Sequence, residues 1–246
     1  MQSKKRSVVI AAIILTILYW MFTYVLFINH EADETYAGVS INSTYMDNER
    51  SPPLVLMICN DGNRIPEKET AMTKFETQLR QTKVLIKSAM RLSHSPIRFI
   101  IFGNDDTILP TIEAYVAPWP DQMRERLALS YRSVFYPNSW NLIDFYEKCA
   151  AARLLLHWAL PEFDSAIYLD TDHVFMRPPE HLMEHFKNFD DKQVFGMAPA
   201  HGYYQAYNVE FPYYGKKGLS DALMLTNLTR WRNLPFDWLP MVTSVV

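Results

Sequence analysis

The stretch Ile167-Tyr168-Leu169-Asp170-Thr171-Asp172 decides how this chain is read. An apolar run ends there in two carboxylates one residue apart. An extended backbone sends alternate side chains to the same side, so Asp170 and Asp172 share a face wherever strand geometry persists. Two carboxylates held that close repel one another unless a cation lies between them. Hard oxygen ligands of this kind suit Mg²⁺ or Mn²⁺, and such an ion can in turn hold a diphosphate. The carboxyl end of a parallel strand is also where open α/β folds place their ligands. An Asp-x-Asp triplet also arises by chance as a solvated turn, and it is the apolar strand ahead of this one that sets it apart.

Outward from that stretch the chain alternates strand and helix patterns. Leu54-Val55-Leu56-Met57-Ile58-Cys59 is a continuous apolar run closed by Asn60-Asp61-Gly62, the pattern of a strand covered on both faces. From Phe75 to Leu92 the residues Leu79, Leu85, Ile86, Ala89 and Met90 recur at helical spacing, and Ser95-Pro96 stops them. Ile97 to Phe102 is the next apolar run, closed by Gly103-Asn104-Asp105-Asp106, and the three together read as a βαβ unit. The pattern further predicts a short helix over Leu109 to Tyr115 and a weakly alternating strand over Leu127 to Phe135. A helix follows over Glu147 to Leu160, with strands at Ser165 to Leu169, Val194 to Met197 and Leu223 to Thr226. The fold class is therefore α/β, with neither internal repeats nor low-complexity tracts.

The N-terminus has a different character. Val8 to Ile28 is an uncharged apolar run of about 21 residues, long enough to span a bilayer as a helix. Lys4, Lys5 and Arg6 precede it and Glu31, Asp33 and Glu34 follow it, which orients the N-terminus to the cytosol and the remainder to the lumen. A cleaved signal peptide is the competing reading, but its apolar region is shorter and ends in small residues, whereas this run ends in Val25, Leu26, Phe27 and Ile28. The expected organisation is a cytoplasmic tail (1–7), a signal anchor (8–28), a polar stem (29–51) and a domain (52–246). In a lumenal compartment the sequons at Asn42 and Asn227 become candidate glycosylation sites, although Asn227 follows an apolar run. Cys59 and Cys149 are the chain's two cysteines. The apolar strand around one and the Ala-rich helix around the other favour two buried free thiols, and their spacing fits no zinc site.

The 246 residues carry a formal net charge of −3, with no basic patch of the kind that binds nucleic acid. There is no Gly-x-Ser-x-Gly elbow, P-loop or dinucleotide glycine fingerprint, which argues against serine hydrolases, P-loop kinases and ordinary dehydrogenases. Arg153, on the helix leading to the Asp-pair strand, has the fork geometry to bind phosphate or sugar oxygens, and equally reads as an ordinary exposed helix arginine. His181 and His185 have the spacing of two ligands on one helix face, but with His173 they read better as surface histidines. Tyr203, Tyr204, Tyr207, Tyr213 and Tyr214 flank a loop ending in Gly215-Lys216-Lys217-Gly218, suited either to stacking on sugars or to packing as a lid.

Cys149-Ala150-Ala151-Ala152-Arg153-Leu154, the Asp-pair strand and Arg177-Pro178 together resemble glycosyltransferase family 8. Met197-Ala198-Pro199, Pro212-Tyr213-Tyr214-Gly215-Lys216 and Met224-Leu225-Thr226-Asn227-Leu228-Thr229-Arg230 bring the resemblance closest to the glucoside xylosyltransferases. It spans most of residues 52 to 233. It implies a GT-A domain, Rossmann-like, behind a type II membrane anchor in the Golgi or endoplasmic reticulum. The implied donor is a UDP-sugar, UDP-xylose, with Mn²⁺ or Mg²⁺. The implied acceptor is O-linked glucose on EGF-like repeats, including those of Notch, in an α-1,3 linkage formed with retention. Carried over by position, Asp170 and Asp172 hold the metal, Arg153, Thr171 and the Asp pair contact the donor, and Cys59 and Asn60 lie near its uridine. No catalytic nucleophile is assigned.

The chain departs from that pattern in two places. The family's Asn-Ser-Gly is replaced by Ser220-Asp221-Ala222, which removes an amide and sets an acidic side chain near an anionic donor. The chain also ends at Val246, before the family's C-terminal histidine, so a C-terminally shortened domain of weak or absent activity is expected. Two rival readings follow. One is a membrane-tethered, non-catalytic nucleotide-sugar binder or modulator of a complete transferase. The other is a phosphohydrolase of the haloacid dehalogenase type, which carries its Asp-x-Asp on an early strand rather than at position 170.

Overall fold

A computed structural model describes residues 26–27, 51–60, 72–134, 151–200, 218–238 and 240. Its centre is a seven-stranded mixed sheet in the order β1-β6-β7-β5-β2-β3-β4. The strands are β1 (Leu26–Phe27), β2 (Leu54–Ile58), β3 (Ile97–Gly103), β4 (Leu127–Ser133), β5 (Ser165–Leu169), β6 (Phe195–Pro199) and β7 (Leu219–Asn227). The helices among the described residues are α1 (Lys74–Leu92), α2 (Ile108–Val116), α3 (Asp121–Arg124), α4 (Leu156–Ala159), α5 (Pro179–Glu184) and α6 (Leu228–Arg232).

The parallel half, β5-β2-β3-β4, is the part the apolar runs encode. All five residues of β2 are buried, and alternation sends them to two separate cores. Leu54, Leu56 and Ile58 pack with Leu85, Ile86 and Met90 of α1 and with Ile108 and Ile112 of α2. Val55 and Met57 pack on the other face with Leu156, Leu160, Tyr168 and Trp231. Each such side chain fully removed from water contributes about 1.5–3 kcal/mol. Helix α1 starts at a capping box in which Thr73 and Glu76 satisfy each other's backbone amides. On the far side of β5 the direction reverses, and β7 pairs antiparallel with both β5 and β6.

Several expectations are revised. Helix α1 and strand β5 lie where periodicity puts them, but the predicted helix over 147–160 is not continuous. Within its described part, residues 153–155 form a 3₁₀ turn, and Leu155 leaves the α-helical region at φ −113° and ψ 7° before α4 begins. Cys59 is disulfide-bonded, which corrects the expectation of two free thiols. Burial shields a cysteine from solvent without excluding a covalent partner, and Cys149, the chain's other cysteine, lies outside the described residues. Leu26 and Phe27, the end of the apolar N-terminal run, form a two-residue strand parallel to β6. Among the described residues no helix is long and apolar enough to cross a membrane.

Gly103 closes β3 where two strands and a helix meet. A Cβ built there would lie 2.8 Å from the Ile58 carbonyl oxygen and nearer still to the Ile108 side chain. Gly103→Ala should therefore destabilise the fold by about 1–3 kcal/mol in urea denaturation, because backbone has to move to admit it.

His157 of α4 is buried and stacks on Trp231 of α6 with ring centroids 4.5 Å apart. Burial, helped by the Arg232 charge, pushes its pKa down from 6.5 to about 4. The folded state therefore keeps a neutral ring where the unfolded chain takes up a proton. The associated stability is full above pH 6.5 and is lost as pH falls through about 4, with roughly 3 kcal/mol as an upper bound. Denaturation curves between pH 7 and pH 4 should show this loss, and His157→Phe should flatten it.

Candidate functional site

Asp170 stands one residue beyond β5, at the carboxyl end of the parallel strands. Its amide donates to the Ala222 carbonyl of β7 at 2.8 Å, which continues the antiparallel ladder past the Leu169–Leu223 pair. Strand β7 is irregular here. Met197 of β6 lies opposite Met224, but the next residue, Ala198, lies opposite Ser220. Asp221, Ala222 and Leu223 thus form a bulge against β6, and bulges re-aim side chains.

The side chains of Tyr168, Asp170, Arg153 and Asp221 meet at this point. The buried Tyr168 hydroxyl donates to Asp170 Oδ1 at 2.5 Å. The Arg153 guanidinium lies over the Tyr168 ring, 4.7 Å from its centroid, a cation–π contact. Its Nη2 is 3.5 Å from Asp170 Oδ1, and its Nη1 is 2.9 Å from Asp221 Oδ2. Burial pushes the Asp170 carboxyl above the usual carboxylate range, with the Asp221 and Asp172 charges adding to the rise and Tyr168 and Arg153 opposing it. Burial also holds the Tyr168 phenol well above its ordinary value, so it remains a donor. Burial works against the charge of Arg153, but Tyr168, Asp221 and Asp170 outweigh it and raise the guanidinium further.

Asp172 is open to solvent, its side chain 66% exposed, and His173 Nδ1 lies 3.5 Å from its Oδ1. Thr171 faces the opposite way, as alternation requires. It is buried, and its hydroxyl donates to Gln81 Oε1 on α1 at 3.0 Å. The side chain of this residue anchors the Asp-pair turn to the helix, which leaves its backbone to face a donor. The segment that follows is tied down as well. The Phe175 amide donates to Ser88 Oγ at 2.9 Å. The buried Glu180 carboxylate accepts from Ser93 Oγ and from the amides of His94 and Ser95, at 2.7, 2.9 and 3.0 Å.

Cys59 and Asn60 follow β2 at the same sheet edge. The Cys59 amide donates to Gln78 Oε1 at 3.2 Å, so Gln78 and Gln81, three residues apart on α1, hold the ends of β2 and β5. The Asn60 amide donates to Asn104 Oδ1, and its Nδ2 donates to Asp105 Oδ2, both at 2.7 Å. Bonds from Thr107 and then Asn60 keep the Asp105 carboxyl below its ordinary range. These crosslinks between loops are not legible in sequence. A pair of glutamines on the apolar face of α1 is the one signal that points to the helix's anchoring role.

The residues present fit a divalent ion of a particular kind. Among the described residues no three His, Cys, Asp or Glu side chains converge on a metal, His181 and His185 included. Asp170 and Asp172 are close enough for the Asp172 charge to be felt at Asp170. Two carboxylates suit Mg²⁺ or Mn²⁺, which keep several waters and take further oxygens from phosphate, rather than a closed protein cage. When bound, such an ion neutralises charge on a departing diphosphate.

The remaining candidates fall elsewhere. Asn227 is the N-cap of α6, its side chain accepting from the Arg230 amide at 2.8 Å, and Thr229 of the same sequon donates to Asp164. Asn42 and the tyrosine loop lie outside the described residues, apart from Gly218, which closes that loop at φ 73°. A cavity of about 310 Å³ lined by His157, Trp158, Trp231, Phe236 and Trp238 is remote from the Asp pair. It lies beside α6, which follows the end of β7 that pairs with Ser165, the opposite end of β5.

The sheet order, the crossovers and a carboxylate pair at the carboxyl edge define an α/β domain of the nucleotide-sugar transferase type. A solved galactosyltransferase, LgtC in complex with donor and acceptor sugar analogs, shares this fold with a TM-score of 0.50 at 16% identity over 78% of this chain and 63% of that one. The chain is similar in sequence to glucoside xylosyltransferases. It is 36% identical over 168 residues to glucoside xylosyltransferase 2 of Mus musculus and 31% identical over 166 residues to glucoside xylosyltransferase 1 of Homo sapiens, 65% of this chain in each case. The chain spans 37% of the length of each of these two relatives. No family model matches it.

Thr171→Val removes the buried hydroxyl that ties the Asp-pair turn to α1 and leaves Gln81 unsatisfied. It should cost about 1–2 kcal/mol in chemical denaturation.

Proposed function

We propose that this chain is a UDP-sugar glycosyltransferase domain. Its donor is UDP-xylose, its acceptor is O-linked glucose on EGF-like repeats, and it transfers with retention in an α-1,3 linkage. The observation that carries the reading is the placement of Asp170 and Asp172 at the carboxyl edge of the parallel strands, with Arg153 locked against Asp170. Similarity to glucoside xylosyltransferases supplies the donor and acceptor. In this reading Asp170 and Asp172 take the cation that accompanies the diphosphate, Arg153 and Tyr168 keep Asp170 oriented, and Cys59 and Asn60 frame the nucleotide. A disulfide at Cys59 supports a lumenal site in the secretory pathway, since such bonds persist in oxidising compartments. The apolar run that begins at Val8 supplies the anchor of a single-pass type II protein of the Golgi or endoplasmic reticulum, and that anchor ends before Leu26, which belongs to β1.

One observation favours a second reading. Asp221 occupies the guanidinium assigned to the donor site, as a non-catalytic nucleotide-sugar binder tolerates and an efficient transferase does not require. Turnover separates the two. The full chain, incubated with Mn²⁺ and UDP-xylose, should release UDP and transfer xylose to a glucosylated EGF-like repeat. Asp172→Asn, at an exposed position that leaves the fold intact, should lower that rate about 10²-fold or more. UDP binding without any release or transfer supports the binder, and release of phosphate from simple phosphomonoesters supports the phosphohydrolase instead.

A further inference from the structure

We infer that Asp221 is a specificity-determining residue that makes diphosphate binding at this site conditional on a divalent cation. The inference rests on the nucleotide-sugar reading of the site. Arg153 lies between two carboxylates, one just past β5 and one on β7, with Nη2 3.5 Å from Asp170 and Nη1 2.9 Å from Asp221. The β7 bulge delivers Asp221 to this position. The two charges differ in access: the Arg153 side chain is 15% exposed, and that of Asp221 is 61% exposed. A ligand arriving from solvent therefore meets the carboxylate before it meets the guanidinium.

Charge then decides what can enter. Among the described residues of this cluster, Asp170, Asp172 and Asp221 set three carboxylates against one guanidinium. A bare nucleoside diphosphate is repelled, and it has to displace Asp221 to reach Arg153. Once Asp170 and Asp172 hold a divalent cation, the cluster's formal charge is balanced and the phosphate oxygens find a positive partner that does not compete with Asp221. A neutral residue at 221 would instead expose Arg153 as a general anion grip. Asp221 thereby selects the metal complex over the free anion, and the same repulsion expels UDP once the cation leaves.

The test is UDP binding to the full chain by isothermal titration calorimetry, in EDTA and in saturating Mn²⁺. Asp221→Asn should tighten binding in EDTA by about three- to fivefold, the upper end for one partly exposed ion pair, and should change binding in Mn²⁺ by less than about twofold. Asp221→Ser should behave alike, and Asp221→Glu should keep the metal dependence of the unaltered chain. Unchanged affinity in EDTA overturns the inference alone. Weaker binding of the Asn and Ser variants under both conditions also overturns it, because Asp221 would then be holding Arg153 in place for the ligand. Absence of UDP binding in every protein, with and without Mn²⁺, overturns the nucleotide-sugar reading and the inference with it.

Discussion

A strand buried on both faces can carry a carboxylate only where it ends. β5 lies between β2 and β7 with helices above and below, and its residues from Ala166 to Leu169 are shut off from water. A charge within that span would need a buried partner, at a cost of several kcal/mol in lost hydration. Asp170 is the first position where the sheet opens, and even there burial still raises the carboxyl. The rest of the site answers that demand. Tyr168 donates a hydrogen bond from within the core, Arg153 supplies a charge from the preceding helical segment, and Asp172 takes the next outward position in water.

The mixed sheet adds a second constraint. In a fully parallel sheet the neighbour of β5 would also present its carboxyl end here. Because β7 runs antiparallel, the segment facing Asp170 is an incoming one, from Leu219 to Leu223. The bulge in that segment turns an acidic side chain toward a basic one 68 residues away in sequence. Arg153 is therefore shared between the carboxylate that ends β5 and the one that the bulge delivers.

The elements legible in sequence are those whose environment is uniform along their length. Strands β2 and β3 are covered on both faces, so their apolar runs predict their bounds to within a residue or so, and the helical spacing of Leu79, Leu85, Ile86 and Ala89 does the same for α1. The Asp pair is legible because two carboxylates directly after such a run mark the point where a buried strand reaches water and their mutual repulsion calls for a cation. What stays hidden depends on long-range register. Ser220-Asp221-Ala222 stands out in sequence as an anomaly, but only the β5–β7 pairing with its bulge shows that Asp221 reaches Arg153. The direction of the Thr171 side chain is hidden too: in sequence it sits between two carboxylates, and the pleat points it at Gln81. The Cys59 disulfide is invisible for the same reason: local apolar context says how buried a sulfur is and nothing about what crosses over to meet it.

Glu180 gives the site a mechanical character. One of its oxygens gathers the Ser93 hydroxyl and two amides from the turn that links α1 to β3, while Phe175 is held by Ser88 and Thr171 by Gln81. The segment from Thr171 to Glu180, which carries the second carboxylate, is thus riveted at three points to a single long helix and the turn that ends it. Little conformational entropy remains there to be lost when a ligand arrives. The second carboxylate is thus presented on a rigid mount, and its position is set by α1 rather than by whatever binds to it.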